Sequence, residues 1–472
     1  MCRLRIQNTL AVLLMLAGGV TTLKADNKAA TGISFNFSTP GARSLAMGGA
    51  FIGLADDATA AYTNPAGLTN LMVGGPEVAV EFRNWSYTDV TIRDGHILGP
   101  PSNRGIDTHS GVEFGETTSS VNGLSFLSVG YILPRGFTVA LYRHELAHFR
   151  SSSRSEGLFY FGFPPDHPIC ALDSSVCESI GRFPGFDAKV DLSIDNYGFS
   201  AARSFSAGSR GEVSLGLGLS YYHLDLFDGA RRFGYRAYYD EGLDRLPGGF
   251  FGPIDFVGDR FDGRDVERGN DSSFGVTAGF LWKPNPGGRW SLGGVYRQGP
   301  KFKTLVQSYD RLGALLDSEG RTFRVPDTIG LGLAWSAGEG RTKATLDVDR
   351  VRYSQRFHDL VRPQDTGLRV SAGDFRLADA DEIHLGLEHV FLAIGSNLVG
   401  TLRLGGWWEP AHEVDYVGLY EELKPLLGDK GQGKAHFSAG LGFVVREDFQ
   451  IDAAADFSEN VDTLSLSIVK FF

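Results

Sequence analysis

Large apolar residues alternate with small or polar residues, one position at a time, along much of the chain. The stretch from Val213 to His223 is the clearest case: Val, Leu and Tyr alternate with Ser and Gly. This period predicts β-strands with one apolar face. In a soluble sandwich the opposite face usually carries charge, but here it carries mostly Gly, Ser and Ala. The pattern favours strands whose apolar face meets lipid and whose small face lines a narrow or filled lumen.

Fourteen such segments are predicted, so the expected fold is all-β: a 14-stranded antiparallel transmembrane β-barrel. The seventh contains Gly299-Pro300, which should kink it. We keep it as one strand because bacterial barrels have an even number of strands. The predicted strands are 77–88, 121–133, 137–150, 187–205, 212–226, 272–283, 289–309, 325–337, 342–354, 382–392, 400–410, 434–445, 449–458 and 461–472.

Short and long connections alternate between these strands. Short segments such as Pro134-Arg135-Gly136 should be periplasmic turns, and long segments should be outer loops. Both chain ends are then periplasmic. The predicted long loops are 89–120, 151–186, 227–271, 310–324, 355–381 and 411–433.

Tryptophan positions and the chain end agree with a membrane barrel. On this topology Trp282, Trp290 and Trp335 lie at the periplasmic rim and Trp408 at the outer rim. Aromatic girdles of this kind mark both membrane interfaces of a barrel. The last strand ends at Phe472, which resembles the signal by which outer-membrane barrels are recognised for insertion.

The N-terminus predicts export and a plug. Arg3, Arg5 and the apolar run Leu10–Val20 are typical of a signal peptide, which we place at residues 1–25. Gly41–Leu71 is rich in Gly and Ala and lacks strand alternation, which predicts a luminal hatch. The domains are therefore 1–25 signal peptide, 26–76 N-terminal hatch or plug, and 77–472 transmembrane β-barrel.

The net charge and the cysteine content indicate which ligands are disfavoured and where a disulfide could form. The net charge of −11 disfavours nucleic-acid binding, which needs a basic surface. Cys170 and Cys177 lie close together in a polar stretch, and in an exported protein we predict that they form a loop disulfide. We expect no cofactor and no metal.

One enzyme motif occurs, but its setting argues against catalysis. His144-Glu145-Leu146-Ala147-His148 matches the H-E-x-x-H zinc motif, which needs a helix to bring both histidines onto one face. The preceding residues predict a strand, on which the two histidines would be about 13 Å apart. We interpret the segment as a polar outer strand end. No serine lies in a distinctive nucleophile context, so we expect no catalytic residue.

Several acidic residues should have structural and not catalytic roles. Asp347 and Asp349 should be polar lumen residues balanced by arginines such as Arg297. The pair Asp56-Asp57 should cap a short helix.

The predicted loop 227–271 is unusually aromatic for a water-facing segment. Together with the leucines of loop 310–324, it indicates either a packed mini-domain or an apolar binding groove. Both alternatives stay open. The groove candidates are Phe250, Phe251, Phe256, Leu312, Leu315 and Leu316.

The sequence GARSLAMGGAFIGLADDATAAYTNPAGL, from Gly41 to Leu68, resembles the hatch of FadL-type outer-membrane transporters. This family contains channels for long-chain fatty acids and other hydrophobic compounds. Trp290–Phe302, Val325–Trp335 and Asp381–Phe391 resemble later family segments. The resemblance implies a fourteen-stranded barrel in the outer membrane of a Gram-negative bacterium, with the hatch inside.

The resemblance also implies a function. Hydrophobic small molecules would meet a groove between outer loops, then a lumen pocket, and leave sideways through a gap in the wall. The expected hatch and gating residues are Gly48, Gly49, Asn64, Pro65 and Ala66. Transport would be passive, since the sequence has no phosphate loop. We expect a porin-like monomer in contact with outer-membrane lipid and lipopolysaccharide. A related branch of hatch-bearing barrels serves in secretion systems, so a docking or shuttle role is the alternative.

Overall fold

A computed structural model gives the arrangement of most of the chain. The residues that it describes are 39–71, 75–97, 111–161, 180–235, 259–285, 287–310, 312–356, 372–391, 398–412, 414–418, 432–446, 448–459 and 461–472. Within this part of the chain, no helix is long and apolar enough to cross a membrane.

Sixteen strand segments form one closed sheet, which is antiparallel apart from a parallel pairing of 96–97 with 159–160. The first and last segments pair from Glu77–Phe471 to Tyr87–Val461, which closes the barrel. The segments are β1 Glu77–Ile97, β2 Gly111–Leu133, β3 Phe137–Phe161, β4 Ile180–Ser206, β5 Glu212–Tyr235, β6 Asp259–Lys283, β7 Trp290–Arg297, β8 Lys301–Asp310, β9 Leu315–Arg324, β10 Thr328–Ala337, β11 Thr342–Val351, β13 Ala380–Phe391, β14 Leu398–Glu409, β16 Lys434–Val445, β17 Phe449–Phe457 and β18 Val461–Phe471. Two further short strands, β12 Phe375–Arg376 and β15 Asp415–Tyr416, pair with each other.

The sixteen segments make a barrel of fourteen strands. β7 and β8 are two parts of one strand, interrupted at 298–300 by the predicted kink at Gly299-Pro300. β9 and β10 are likewise separated by only three residues, Val325-Pro326-Asp327. A proline has no N–H to donate to a ladder, so each interruption falls at one. The predicted strand number is confirmed.

The first six strands are much longer than predicted. They contain 21 to 27 residues, whereas a membrane crossing needs about 10. The predicted loops 89–120, 151–186 and 227–271 are therefore wrong where these strands extend into them. The predicted loop 310–324 is also wrong, because β8 and β9 pair there as a hairpin. Outside a membrane both faces of a strand meet water, so apolar alternation no longer marks it.

The outward face of the barrel is apolar. Leu217 and Phe437 are both 68% exposed, while alternate residues such as Ser214 and Ser438 are buried inside. Trp282, Trp290 and Trp408 are also exposed, as the predicted girdle requires. Such a belt is the surface that a barrel presents to lipid.

Residues 39–71 fill the lumen, and nearly all of them are buried. This hatch contains two short helices, α1 Ala42–Ala46 and α2 Ala60–Thr63, and a 3-10 helix, Pro65–Asn70. Wall glycines allow its backbone to touch the strands. A Cβ added at Gly405 would lie 2.1 Å from the Gly48 nitrogen. One added at Gly293 would lie 2.3 Å from the Ile52 oxygen.

Replacing Gly405 with alanine should therefore displace the hatch while the strands still pair. We expect Gly405→Ala to increase the leak of small hydrophilic solutes and to keep the heat-modifiable gel mobility of a folded barrel. Gly320→Ala is the matched control, because an added Cβ there meets nothing within 4 Å. An unchanged leak in Gly405→Ala would contradict the close fit of hatch and wall.

Candidate functional site

The hatch is fixed to the wall by buried ion pairs. Arg43 of α1 donates from Nε to Oε2 of Glu388 on β13, at 2.8 Å. It also donates to Asp56 of the hatch, at 2.7 Å. Lys343 of β11 donates to the same Asp56, and Arg403 of β14 donates to Glu388. Removing one partner of such a buried pair is costly, because the other charge remains without compensation.

The neighbouring hatch carboxylates have opposite pKa shifts. Burial alone would raise the pKa of Asp56, but the charges of Arg43 and Lys343 outweigh it and lower this pKa to about 2. Burial raises the pKa of Asp57, and Arg43 offsets only part of that effect. Asp57 accepts hydrogen bonds from the Thr59 backbone N–H and hydroxyl just before α2. The predicted capping role is therefore wrong, because Asp57 stabilises the turn before α2, whose N-cap Thr59 has no side-chain cap, and Asp56 forms ion pairs.

The Asn64-Pro65-Ala66 motif joins two parts of the hatch to the wall. The Asn64 amide donates to the Ile52 carbonyl at 3.1 Å and to the Phe280 carbonyl of β6 at 3.0 Å. Its side-chain oxygen accepts from the Ala66 N–H and so caps the 3-10 helix. A proline directly after such a cap costs no backbone hydrogen bond.

Gly48 and Gly49 turn the chain at the end of α1. Both have positive φ, 65° and 81°, which favours glycine. The Gly48 N–H donates to the Ser438 hydroxyl of β16. Its carbonyl accepts from Nδ1 of His384 on β13, at 2.7 Å.

The luminal acids and arginines bind the hatch backbone. Asp347 accepts from the N–H groups of Phe51 and Ile52, at 2.6 and 2.7 Å. Arg297 donates to the carbonyls of Tyr62 and Thr63. The predicted luminal position is correct, but Oδ2 of Asp347 accepts from hatch amides and not from an arginine.

The backbone hydrogen-bond ladder of the wall is interrupted between β2 and β3. Among the described residues, the two strands pair only over Phe126–Leu133 and Phe137–His144, whereas both continue outward for many residues. A bulge at Ser125 shifts the β1–β2 register, and a bulge at Leu146 shifts the β3–β4 register. Bulges bend strands, so these two part the neighbours at one height. We call this interruption the lateral gap.

The H-E-x-x-H segment borders the lateral gap. It lies on β3, as predicted, but its description as a polar outer strand end is wrong. His144 is fully buried and stacks on Tyr62 of the hatch, with ring centroids 4.0 Å apart. Glu145 lies across the gap from Gly123, where an added Cβ would be 2.6 Å from Oε2. His148 Nδ1 holds the same carboxylate at 2.5 Å.

A small cavity of about 70 Å³ lies over the outer side of the hatch. Leu45, Gly48 and Gly49 form its floor. Trp85 and Tyr87 of β1 contribute to its walls, which also reach β3 beyond the lateral gap. We call this cavity the chamber.

Acidic and histidine side chains face the chamber from four wall strands. His436 of β16 lies with Nδ1 2.8 Å from Asp456 of β17 and Nε2 3.4 Å from Glu409 of β14. His384 Nε2 lies 3.6 Å from Glu382 on its own strand. Trp407 is stacked between His384 and His436, with centroid distances of 5.2 and 3.8 Å. Sequence reasoning missed these residues, although strand parity places them inside; Glu382 and His384, for example, alternate with the outward Ile383 and Leu385.

A second cavity of about 730 Å³ lies at the outer ends of β4, β5 and β6, beside the β8–β9 hairpin. Leu312 and Phe227 line it together with side chains of both charges. Leu315 and Leu316 lie on β9, and all three leucines are exposed. Of the predicted groove and disulfide residues, five lie outside the described part of the chain: Phe250, Phe251, Phe256, Cys170 and Cys177.

The described residues contain no group of three or more His, Cys, Asp or Glu side chains that could hold a metal ion.

Comparison with solved structures identifies the fold. A Pseudomonas aeruginosa FadL homologue aligns with a TM-score of 0.57 at 15% identity, over 92% of this chain and 99% of that one. The CymD monoaromatic hydrocarbon channel gives 0.51 at 13% identity, over 93% and 99%. The toluene transporter TodX of P. putida gives 0.50 at 17% identity, over 93% and 99%. No family profile and no curated protein sequence matches the chain. The chain thus has the FadL-type fold that its sequence implied.

Removing Arg43, the cation that the hatch itself contributes to these ion pairs, should loosen the hatch. We expect Arg43→Met to leave the barrel folded and to speed amide hydrogen exchange across 41–71 by about 100-fold, since breaking a buried pair costs about 3 kcal/mol. Arg350→Met is the control, because Arg350 and its partner Asp381 are both about half exposed. Equal exchange in both variants would show that the network does not hold the hatch.

Proposed function

We propose that this protein is an outer-membrane passive transporter for long-chain fatty acids or other hydrophobic compounds in a Gram-negative bacterium. The observation that carries the proposal is a lumen filled by the hatch beside a wall interrupted at the lateral gap. Solved structures with the same fold include channels for toluene and other monoaromatic hydrocarbons. A filled lumen suits apolar cargo better than it suits water-soluble solutes.

Each step of the route corresponds to a feature of the barrel. The exposed leucines of the β8–β9 hairpin and the 730 Å³ cavity suit capture of an apolar molecule at the outer end. Burial stabilises the bound cargo by about 0.8 kcal/mol per methylene. The chamber is adjacent to β3 beyond the lateral gap, so cargo leaves sideways into the membrane. The route needs no energy source, because cargo moves down its own gradient.

The hatch is the proposed gate. Its ion pairs and backbone contacts with the wall close the direct route. His384 links the floor of the chamber to the Gly48 carbonyl, so cargo in the chamber would disturb a hatch contact. Binding energy of cargo can shift the hatch only if the cargo favours the displaced position.

We also propose the domain bounds of the chain: 1–25 signal peptide, 26–76 hatch and 77–472 barrel. We propose a monomer that contacts outer-membrane lipid through its apolar belt and lipopolysaccharide at its outer end. Co-purification of an exported protein through the outer loops would instead favour the secretion role.

Cargo class is tested by uptake of labelled compounds in cells that lack their own hydrophobic-compound transporters. Expression of this chain should raise the initial uptake of a long-chain fatty acid, an aromatic hydrocarbon or both. No increase for any apolar compound would contradict the proposal.

Filling the lateral gap should block exit. We expect Gly123→Phe to lower apolar uptake at least about fivefold, because its ring must occupy the space beside Glu145. Leu217→Phe is the control, since residue 217 faces outward on β5. Both variants should keep folded-barrel mobility. Equal uptake in a folded Gly123→Phe barrel would contradict the sideways route.

Replacing Asn64 tests whether the hatch acts as a gate or as a scaffold for barrel assembly. Asn64→Ala loses two donated hydrogen bonds to carbonyls, each worth about 1 kcal/mol. We expect normal barrel assembly with altered uptake or leak, measured in the same cells. Asn84→Ala, at a wall position outside the hatch, is the control. Failure of Asn64→Ala to assemble would make the hatch a scaffold.

A further inference from the structure

The rim of short turns carries a positive patch between β2 and β5. Arg135 lies in the β2–β3 turn, Arg203 lies near the end of β4, and Arg210 lies in the β4–β5 turn. All three side chains are exposed. The segments that contain them, 129–139 and 199–211, include no Asp or Glu, although the whole chain has a net charge of −11. We call these three arginines the basic rim.

The nearest acids along the chain and across the sheet do not neutralise the basic rim. Glu212 begins β5 and is paired in register with Lys283 of β6, so these two charges compensate. Glu77 begins β1 and is paired in register with Gly130 of β2, but its side chain is buried inside the barrel. There it accepts a hydrogen bond from the Ala58 N–H of the hatch.

Several exposed arginines at the opposite end of the barrel have acidic partners within the chain. Arg150 lies 3.0 Å from Asp191, and Arg350 lies 3.0 Å from Asp381. The arginines of the basic rim form no ion pair with any residue that the structure describes. Their charge is therefore available to an anion outside the protein.

Arg203 faces lipid and not the lumen. Its guanidinium carbon lies 4.8 Å from the ring centroid of Phe137 and 5.4 Å from that of Phe205. Both rings are more than 40% exposed on the outward face. A guanidinium stacked on aromatic faces keeps its N–H donors available to a ligand. Arg203 is thus held within the aromatic girdle, at the level of the lipid head groups.

Backbone contacts place the other two arginines at the same height. The carbonyl of Arg210 accepts from the indole N–H of Trp282 at 2.9 Å, which fixes the β4–β5 turn against the girdle. Arg135 comes two residues before Phe137, and Phe137 is the register partner of Arg203. The three guanidinium groups therefore border one sector of the membrane surface.

The backbone conformation of Arg135 is one that arginine rarely adopts. Its φ is 72°, in the left-handed region that glycine or asparagine enters more readily. An arginine here costs backbone free energy that a relaxed residue would not. Strain of this kind marks positions where the side chain itself is needed.

We propose that the basic rim binds the phosphate group of an anionic phospholipid in the periplasmic leaflet of the outer membrane. The site goes beyond transport and requires only the proposed location of the barrel. Guanidinium groups donate to phosphate oxygens in a bidentate manner. Phosphatidylglycerol has a phosphate and no ammonium group, so it is favoured over zwitterionic phosphatidylethanolamine. The outward position of Arg203 between two exposed rings favours a lipid over an acidic protein partner.

A lipid bound here would fix the height of the lateral gap in the membrane. The gap and the basic rim share the strands β2 and β3. At about 3.4 Å per residue, the strand from Leu133 to Phe126 spans about 24 Å. Because barrel strands tilt by roughly 40°, the gap lies inside the apolar band, which is about 25 Å tall.

Competition between two lipids tests the proposal. Phosphatidylglycerol and phosphatidylethanolamine with identical acyl chains are added in equal amounts to the purified barrel, and bound lipid is counted by native mass spectrometry. Barrels that hold one lipid should hold phosphatidylglycerol at least about fivefold more often. Equal occupancy by the two lipids would overturn the proposal, whether or not an acidic periplasmic protein co-purifies with the barrel.

Three variants locate the effect. Arg203→Gln should lower the preference for phosphatidylglycerol about fivefold. Arg135→Asn should act in the same direction without harming the turn, because asparagine suits its positive φ. Arg350→Gln removes the same charge at the opposite end and should leave the preference unchanged. An unchanged preference in both rim variants, or an equal loss in all three variants, would overturn the assignment.

The two proposals fail separately. Normal cellular uptake of apolar compounds by a barrel without lipid preference refutes the phospholipid site alone. A clear preference for phosphatidylglycerol in a barrel that takes up no apolar compound refutes the transport function and leaves the site.

Discussion

Direct contact between the hatch backbone and the glycines of the wall is the constraint on which the structure depends. At Gly293 and Gly405 no side chain separates the hatch backbone from the wall backbone. At Gly216 an added Cβ would lie 2.3 Å from Ala66 and Pro65. A barrel of this size leaves room for a folded segment only if its luminal residues stay small. The alternation of Leu with Gly and Ser thus serves two surfaces, since the large residues meet lipid and the small ones meet the hatch.

Filling the lumen this closely determines where an apolar molecule can go. Asp347 accepts hydrogen bonds from the hatch backbone and Arg297 donates to it. Together with the Arg43–Glu388 ion pair, these bonds hold the hatch against the wall. The bulges at Ser125 and Leu146 part β2 from β3 at the height of the hatch and the chamber. The barrel is therefore filled along its axis, and its backbone ladder is interrupted at one side. This geometry is the physical basis for proposing passage of hydrophobic cargo into the membrane.

The sequence predicts the architecture well, because the period-two pattern and the short turns are local properties. Fourteen strands, the kink at Gly299-Pro300 and the outward Trp408 all follow from local residues. Strand ends beyond the membrane could not be predicted, since the pattern loses its apolar face there. β9 was predicted as loop for this reason.

The site was less predictable, because its contacts join distant parts of the chain. Asn64 could be singled out from its motif, but its bond to Phe280 depends on barrel closure. The acids and histidines of the chamber could have been placed inside from strand parity. Their proximity across β13, β14, β16 and β17 could not, because it depends on register.

The filled lumen and the lateral route are tested most directly by comparing the uptake of two solutes of similar size, one apolar and one hydrophilic. The uptake is measured in cells that express this chain. Intact cells are needed, because lipopolysaccharide slows the unassisted entry of apolar molecules. The account predicts that initial uptake of a labelled monoaromatic hydrocarbon rises about tenfold or more, a lowering of the barrier by about 1.4 kcal/mol. Entry of a labelled sugar should not change. An increase for the sugar, with or without the hydrocarbon, would show a water-filled pore and contradict the closed lumen.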